Sequence, residues 1–201
     1  MKCEGRGVLF RGSIDLNGLA LDFQMARVRL LNAEDRPEAA ELVERIRGGR
    51  RGNLINIYRL LLHSPSLAAT WFEHLNSVRW GTELDGRLRE LVIIRIAQIN
   101  RCTYALRQHV PKLALADGVS VDECHAVADW QGSSFFDDRE RAALAYAEAM
   151  TSEQGVSEEV FAPLRQFFNE RQVVELTVLI GTYTMHNKVL EALRVDLEPS
   201  P

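Results

Sequence analysis

From Asp35 onward, apolar residues return every three or four positions, the period of an amphipathic helix, and no stretch sustains the strict alternation of a half-buried strand. The punctuation agrees with the period. Pro37 suits a first helical turn, and Gly48-Gly49 closes that segment. Leu54, Tyr58, Leu61 and Leu62 predict a helix within 53–62. Ser64-Pro65 opens the next, to about Val78, and Asp85 caps one that runs to about Ile99. A fifth spans roughly 102–118 and contains Pro111, which predicts a kink. Ser120 and Glu123 spell a capping box for a short helix, and 131–136 reads as a loop. Asp137 or Asp138 starts an alanine-rich helix to about Met150, Ser157 opens another, and Asn169 caps a long last helix to about Val195. The expectation is an all-α bundle of about eight helices, with no repeat and no low-complexity tract.

Residues 1–24 break this pattern. They are rich in glycine and lack helical period, so we expect a loose N-terminal extension, with Met25 an alternative start and a single domain over 25–201. The chain has 201 residues, 46% of them hydrophobic and 26% charged, which suits one globular domain and excludes general disorder. A net charge of -4 offers no basic balance for nucleic acid. Cys3, Cys102 and Cys124 are too few and too scattered for a disulfide framework. No apolar run approaches the ~20 residues of a membrane span. The early run Val8-Leu9-Phe10 is cut by Arg11, too short for a signal-peptide core. A cytoplasmic protein without membrane contact is expected.

Three helices carry candidate chemistry. In 86–99, apolar residues cover nearly every direction, so the helix should be buried. Glu90 lies on it, with Ile93, Ile94 and Ala97 at i+3, i+4 and i+7. A carboxylate there must find a partner, either Arg87 or a residue of another helix, or take up a proton. The next helix has Cys102, Leu106, His109, Leu113 and Ala116 on one stripe. Its thiol and imidazole are two turns apart, ~10 Å along the axis, too far for a direct Cys–His nucleophile pair. On the spacing alone, a buried structural thiol and a hydrogen-bonded core histidine are the favoured reading of the stripe. In the last helix, Glu175, Leu179, Thr182 and His186 form a stripe with Tyr183 and Asn187 nearby, which suits a pocket wall or a subunit contact. Arg45, Arg47, Arg50 and Arg51 around Gly48, Gly49 and Gly52 read as a helix end followed by a solvated loop. Trp71, Trp80, Trp130 and Tyr183 read as core. Cys124-His125 has no second metal-ligand pair, and no phosphate loop or nucleophile elbow is present.

The run Gly86-Arg87-Leu88-Arg89-Glu90-Leu91-Val92-Ile93-Ile94-Arg95-Ile96-Ala97-Gln98-Ile99-Asn100, followed by Tyr104 and Gln108-His109-Val110-Pro111, resembles the carboxymuconolactone decarboxylase family, the group that includes AhpD-like alkylhydroperoxidases. Asn56-Ile57-Tyr58-Arg59, Leu62-His63-Ser64-Pro65, Asp138-Arg139-Glu140-Arg141-Ala142, Glu175-Leu176-Thr177 and Met185-His186 extend it in the family's order. The resemblance implies an AhpD-like helical fold and a homo-oligomer (dimer, trimer or hexamer). On the AhpD pattern, Glu90, Cys102 and His109 match the glutamate, the first cysteine and the histidine. Ala105 stands where the second, peroxide-attacking cysteine falls, and Tyr104 where a relay histidine falls. A second branch often has Tyr-Glu-Trp here, and Ala105 and Leu106 depart from that too. Without a second thiol, dithiol cycling has no resolving partner. What remains is a cofactor-independent acid/base set of Glu90, His109 and Tyr104, with no metal, acting on a small carboxylate or lactone. Arg107 would pair with an anionic substrate, and Tyr183 and His186 would line its pocket. The alternatives are a thiol peroxidase relying on Cys102 and a non-catalytic ligand-binding oligomer.

Overall fold

The structure, a computed structural model, describes residues 26–152 and 155–199, so the extension expected over 1–24 lies outside the described residues. Every regular element among them is helical: α1 (Ala40–Gly49), α2 (Asn56–Leu61), α3 (Pro65–Trp80), α4 (Gly86–Ile99), α5 (Thr103–Gln108), α6 (Val121–Ala126), α7 (Asp138–Thr151), α8 (Glu158–Phe161), α9 (Leu164–Phe167) and α10 (Glu170–Leu193). Short 3-10 turns precede α1 and follow α6. The all-α expectation holds. Where one helix was expected after Ser157, Pro163 divides the segment into α8 and α9, each a single turn.

The helix starts form where their caps are written. The Asp85 carboxylate accepts from the Leu88 amide at 2.8 Å, and Ser120/Glu123, Asp137/Glu140 and Asn169/Gln172 each close a reciprocal capping box. Ser64 makes no side-chain cap, and Pro65 at the first helical position opens α3 instead.

α4 is the central helix, packed between α7 and α10. Leu91, Ile94 and Ala97 join a cluster with Ile46, Tyr58 and Ala105, while Leu88, Val92, Ile93 and Ile96 join a second with Leu75, Leu176 and Tyr183. One helix thus walls off two halves of the core, which is why its sequence is apolar on nearly all sides. Truncating one of these isoleucines to alanine costs about 2–5 kcal/mol.

The expected kink at Pro111 takes another form. α5 stops at Gln108, and His109–Ala114 widen into a π-helical turn. Proline donates no backbone hydrogen bond and crowds the carbonyl four residues back, so the ladder slips to the wider spacing. His109 is the first residue of that turn. At the other end of the domain, Arg194 ends α10 in a left-handed conformation (φ 48°). The chain beyond it then returns to α2, where the Asn56 side-chain amide donates to the carbonyls of Asp196 and Leu197.

Candidate active site

Glu90 is wholly buried on α4, and both its oxygens are taken. Oε1 accepts from Arg79 Nη2 of α3 at 2.9 Å, and Oε2 lies 2.6 Å from His109 Nδ1. The partner left open by the sequence is therefore on other segments, and Arg87 is engaged elsewhere, with Glu123 and Glu140. Burial alone would push the Glu90 carboxyl up. The charge and hydrogen bond of His109, then Arg79 and Arg89, outweigh it and hold the carboxyl at about 2. Glu90 is thus an anion at neutral pH, and His109 presents Nδ1–H to it. The ring's Nε2 carries no hydrogen bond among the described residues and is the atom left to meet a ligand.

Arg79 also donates to the Tyr183 hydroxyl at 3.0 Å through Nη1. The Tyr183 ring meets His109 edge-on, with centroids 5.6 Å apart, and meets His186 at 5.8 Å. Trp71 Nε1 donates to His186 Nδ1 at 3.3 Å. Burial, and then the positive charge of His109, Arg50 and Arg79, pull His186 down to about 3. It therefore stays neutral and can accept from the indole. Arg50 reaches back from the end of α1, donates to the Tyr58 hydroxyl at 2.7 Å and to Asn76 at 2.9 Å, and stacks on Phe72 and Trp80.

The structure brings together four of the sequence candidates and separates three. Glu90, His109, Tyr183 and His186 form one continuous contact. Cys102 sits at the N-cap position of α5, two turns away, facing the Glu191 carboxyl; burial, then that carboxyl, push its thiol up to about 12. The Tyr104 hydroxyl donates to Glu198 Oε1 at 2.6 Å and receives the Ile57 amide, so it ties the C-terminal segment to α2. Its own ionisation is raised well above the usual range, by burial first and Glu198 next. Arg107 is exposed. Two readings of the arginines and aromatics need correction. Arg50 folds onto aromatic rings instead of sitting in a solvated loop, and Trp80 is 58% exposed instead of core. Arg79 was missed altogether. Its signal was present: Ala68, Phe72, Leu75 and Arg79 follow 4-3-4 spacing, which puts an arginine on the buried stripe of α3.

This geometry can orient an imidazole, stabilise its protonated form and leave Nε2 free for proton transfer. Among the described residues no group of three or more His, Cys, Asp or Glu could hold a metal ion.

The model of the carboxymuconolactone decarboxylase family matches residues 65–149, from the start of α3 to near the end of α7 and therefore across Arg79, Glu90 and His109. The Escherichia coli (strain K12) protein YnjA, itself uncharacterized, is 34% identical over 139 residues, 69% of this chain and 73% of its own length. The chain belongs to the carboxymuconolactone decarboxylase family. A second relative, the uncharacterized YdfG of Bacillus subtilis (strain 168), is 27% identical over 114 residues, 56% of this chain and 77% of its own. Among solved structures, a protein of unknown function from Agrobacterium tumefaciens, linked by its description to the antioxidant defence protein AhpD, matches with TM-score 0.66 at 26% identity, covering 70% of this chain and 97% of that one. The debrominase Bmp8 without ligand matches with TM-score 0.71 at 22% identity, covering 84% of this chain and 90% of its own, a likeness of fold. The family's AhpD-like architecture is thus the architecture of this chain.

Proposed function

We propose that the chain is a cofactor-independent acid/base enzyme of the decarboxylase type, acting on a small carboxylate or lactone. The observation that carries this reading is the 2.6 Å Glu90–His109 contact, buried and set apart from a Cys102 thiol held at about 12. His109 Nε2 takes a proton from carbon next to a carbonyl, and the resulting imidazolium is stabilised by Glu90 through Nδ1–H. In a decarboxylation, the imidazolium starts protonated. The bond to the departing carboxylate breaks, carbon dioxide leaves, the electron pair enters the neighbouring carbonyl as an enolate, and Nε2–H returns a proton to carbon. Solvent then reprotonates His109. Arg79 holds Glu90 and Tyr183 in place, and Tyr183 and His186 form the wall beside His109. Arg107 lies on the surface, so the Arg50 and Arg79 field, which already depresses His186, supplies the attraction for an anionic substrate.

Deuterium exchange in small lactones and keto acids, followed by NMR, tests the reading. Wild type and Cys102→Ser should exchange the hydrogens next to the carbonyl, and His109→Gln should not. Peroxide turnover with dithiothreitol in wild type, lost in Cys102→Ser, would overturn it in favour of a thiol peroxidase.

A homo-oligomer belongs to the same proposal. Val174, Val178 and Met185 form an exposed apolar stripe on α10 that a subunit contact would cover, and light scattering reads the assembly directly. A cytoplasmic location fits the free thiols of Cys102 and Cys124, and fractionation of the native cell reads it.

A further inference from the structure

Asn187 is completely buried, and neither its Nδ2 nor its Oδ1 has a hydrogen-bond partner. Buried amides are nearly always paired, because leaving both ends unmet costs folding stability. The acid/base mechanism does not use this residue.

Its place is defined by two contacts that bracket it. One turn before it on α10, Tyr183 touches His109; one turn after it, Glu191 faces Cys102. The two segments therefore run antiparallel to each other. Asn187 therefore lies on α10 between these two contacts, and the stretch of α5 that separates Cys102 from His109 is buried at Ala105 and Leu106. Thr184, on the same side of α10, also has a buried hydroxyl oxygen with no partner. A stripe of unmet hydrogen-bonding groups thus runs from His109 toward Cys102. Its two ends differ in charge. Arg79 and Arg50 act at the Tyr183 end, and the Glu191 carboxyl at the other.

We propose that Asn187 is a substrate-binding residue, a neutral polar subsite that holds a carbonyl or hydroxyl oxygen of the ligand about one helical turn, ~6 Å, from the group beside His109. An amide both donates and accepts, so it suits a neutral group; the carboxylate of the same ligand sits toward the arginine end. The ligand class is a small carboxylate with a neutral oxygen several bonds away, a keto or hydroxy acid or its lactone. This specifies the substrate of the proposed acid/base site and rests on that reading for the chemistry, though not for the binding.

Levulinate (4-oxopentanoate) and valerate (pentanoate) are the probes, since they differ only in the ketone. Wild type should bind levulinate more tightly. Asn187→Leu should weaken levulinate by on the order of tenfold and bind valerate unchanged. Without ligand, the urea midpoint of Asn187→Leu should equal or exceed that of wild type, because two unpaired polar atoms are gone. Equal response of wild type to the two probes, including none to either, overturns the proposal, as does a lower midpoint in the variant. Deuterium exchange at levulinate C3 reads Glu90 and His109 separately. A ketone preference lost in Asn187→Leu, with no exchange, keeps the subsite and removes the acid/base reading. Exchange with the same KM in wild type and variant does the opposite.

Discussion

Replacing Glu90 with glutamine keeps the side-chain shape and removes one buried charge, so it isolates what the carboxylate contributes. The carboxyl is held at about 2 against an ordinary 4.5, despite burial that opposes ionisation. At ~1.4 kcal/mol for each tenfold step, that drop corresponds to about 3 kcal/mol of preference for the anion in the folded protein. Glutamine would also leave the Arg79 guanidinium without its carboxylate in the core, and losing one partner of a buried pair typically costs about 3–5 kcal/mol. A destabilisation of about 3 kcal/mol at pH 7 is therefore expected, measured by urea denaturation. The sign of the pH dependence follows. The Glu90 carboxyl is depressed in the folded state, so the unfolded chain takes up the proton first as pH falls. Its contribution is fully present above 4.5 and is lost as pH falls toward 2. The gap between wild type and variant should stay constant from pH 7 to about 5 and close below 4.5. His186, held neutral down to about 3, also makes the protein acid-sensitive, starting below its ordinary 6.5, but equally in both proteins. In the exchange assay, a loss on the order of 10⁴ is expected, as in other carboxylate–histidine pairs whose acid becomes an amide. Equal stability at pH 7, a gap that persists at pH 3, or a larger activity loss in Cys102→Ala than in Glu90→Gln would refute the reasoning.

Two further outcomes follow from the geometry. With thiols at about 12 and about 11, raised in each case first by burial, Cys102 and Cys124 should resist alkylation by iodoacetamide at pH 8 in the native protein and react once it is unfolded. Peptide mass spectrometry distinguishes them from Cys3, and rapid native labelling of Cys102 would count against its placement. Tyr104→Phe removes the hydroxyl that joins Glu198 to the Ile57 amide, so it should cost about 1–2 kcal/mol in urea denaturation, while exchange activity changes by less than about tenfold. A large fall in kcat with unchanged stability would return Tyr104 to the reacting centre.

Helix starts, the loop at 131–136 and the buried character of α4 were legible in the chain because each depends on neighbours within a turn or two. A cap is one side chain and the amide three residues on, and amphipathic period is set by 3.6 residues per turn. Pro111 also announced an irregularity, though not that it would become a π-helical turn beginning at His109. Glu90 was visible as a carboxylate on an apolar helix in need of a partner, and the family resemblance singled out His109. What the chain by itself did not disclose was that Arg79, eleven residues before Glu90 and on a different helix, completes the pair. Nor did it disclose that Tyr104 spends its hydroxyl on the C-terminal segment, or that Arg50 stacks inward from a glycine-rich loop. Asn187 was noted only as a neighbour of the α10 stripe; its unmet amide is visible only once α10 is laid against α4. These are relations between helices far apart in sequence. They depend on which buried faces meet and at what register, and local propensity carries no information about that.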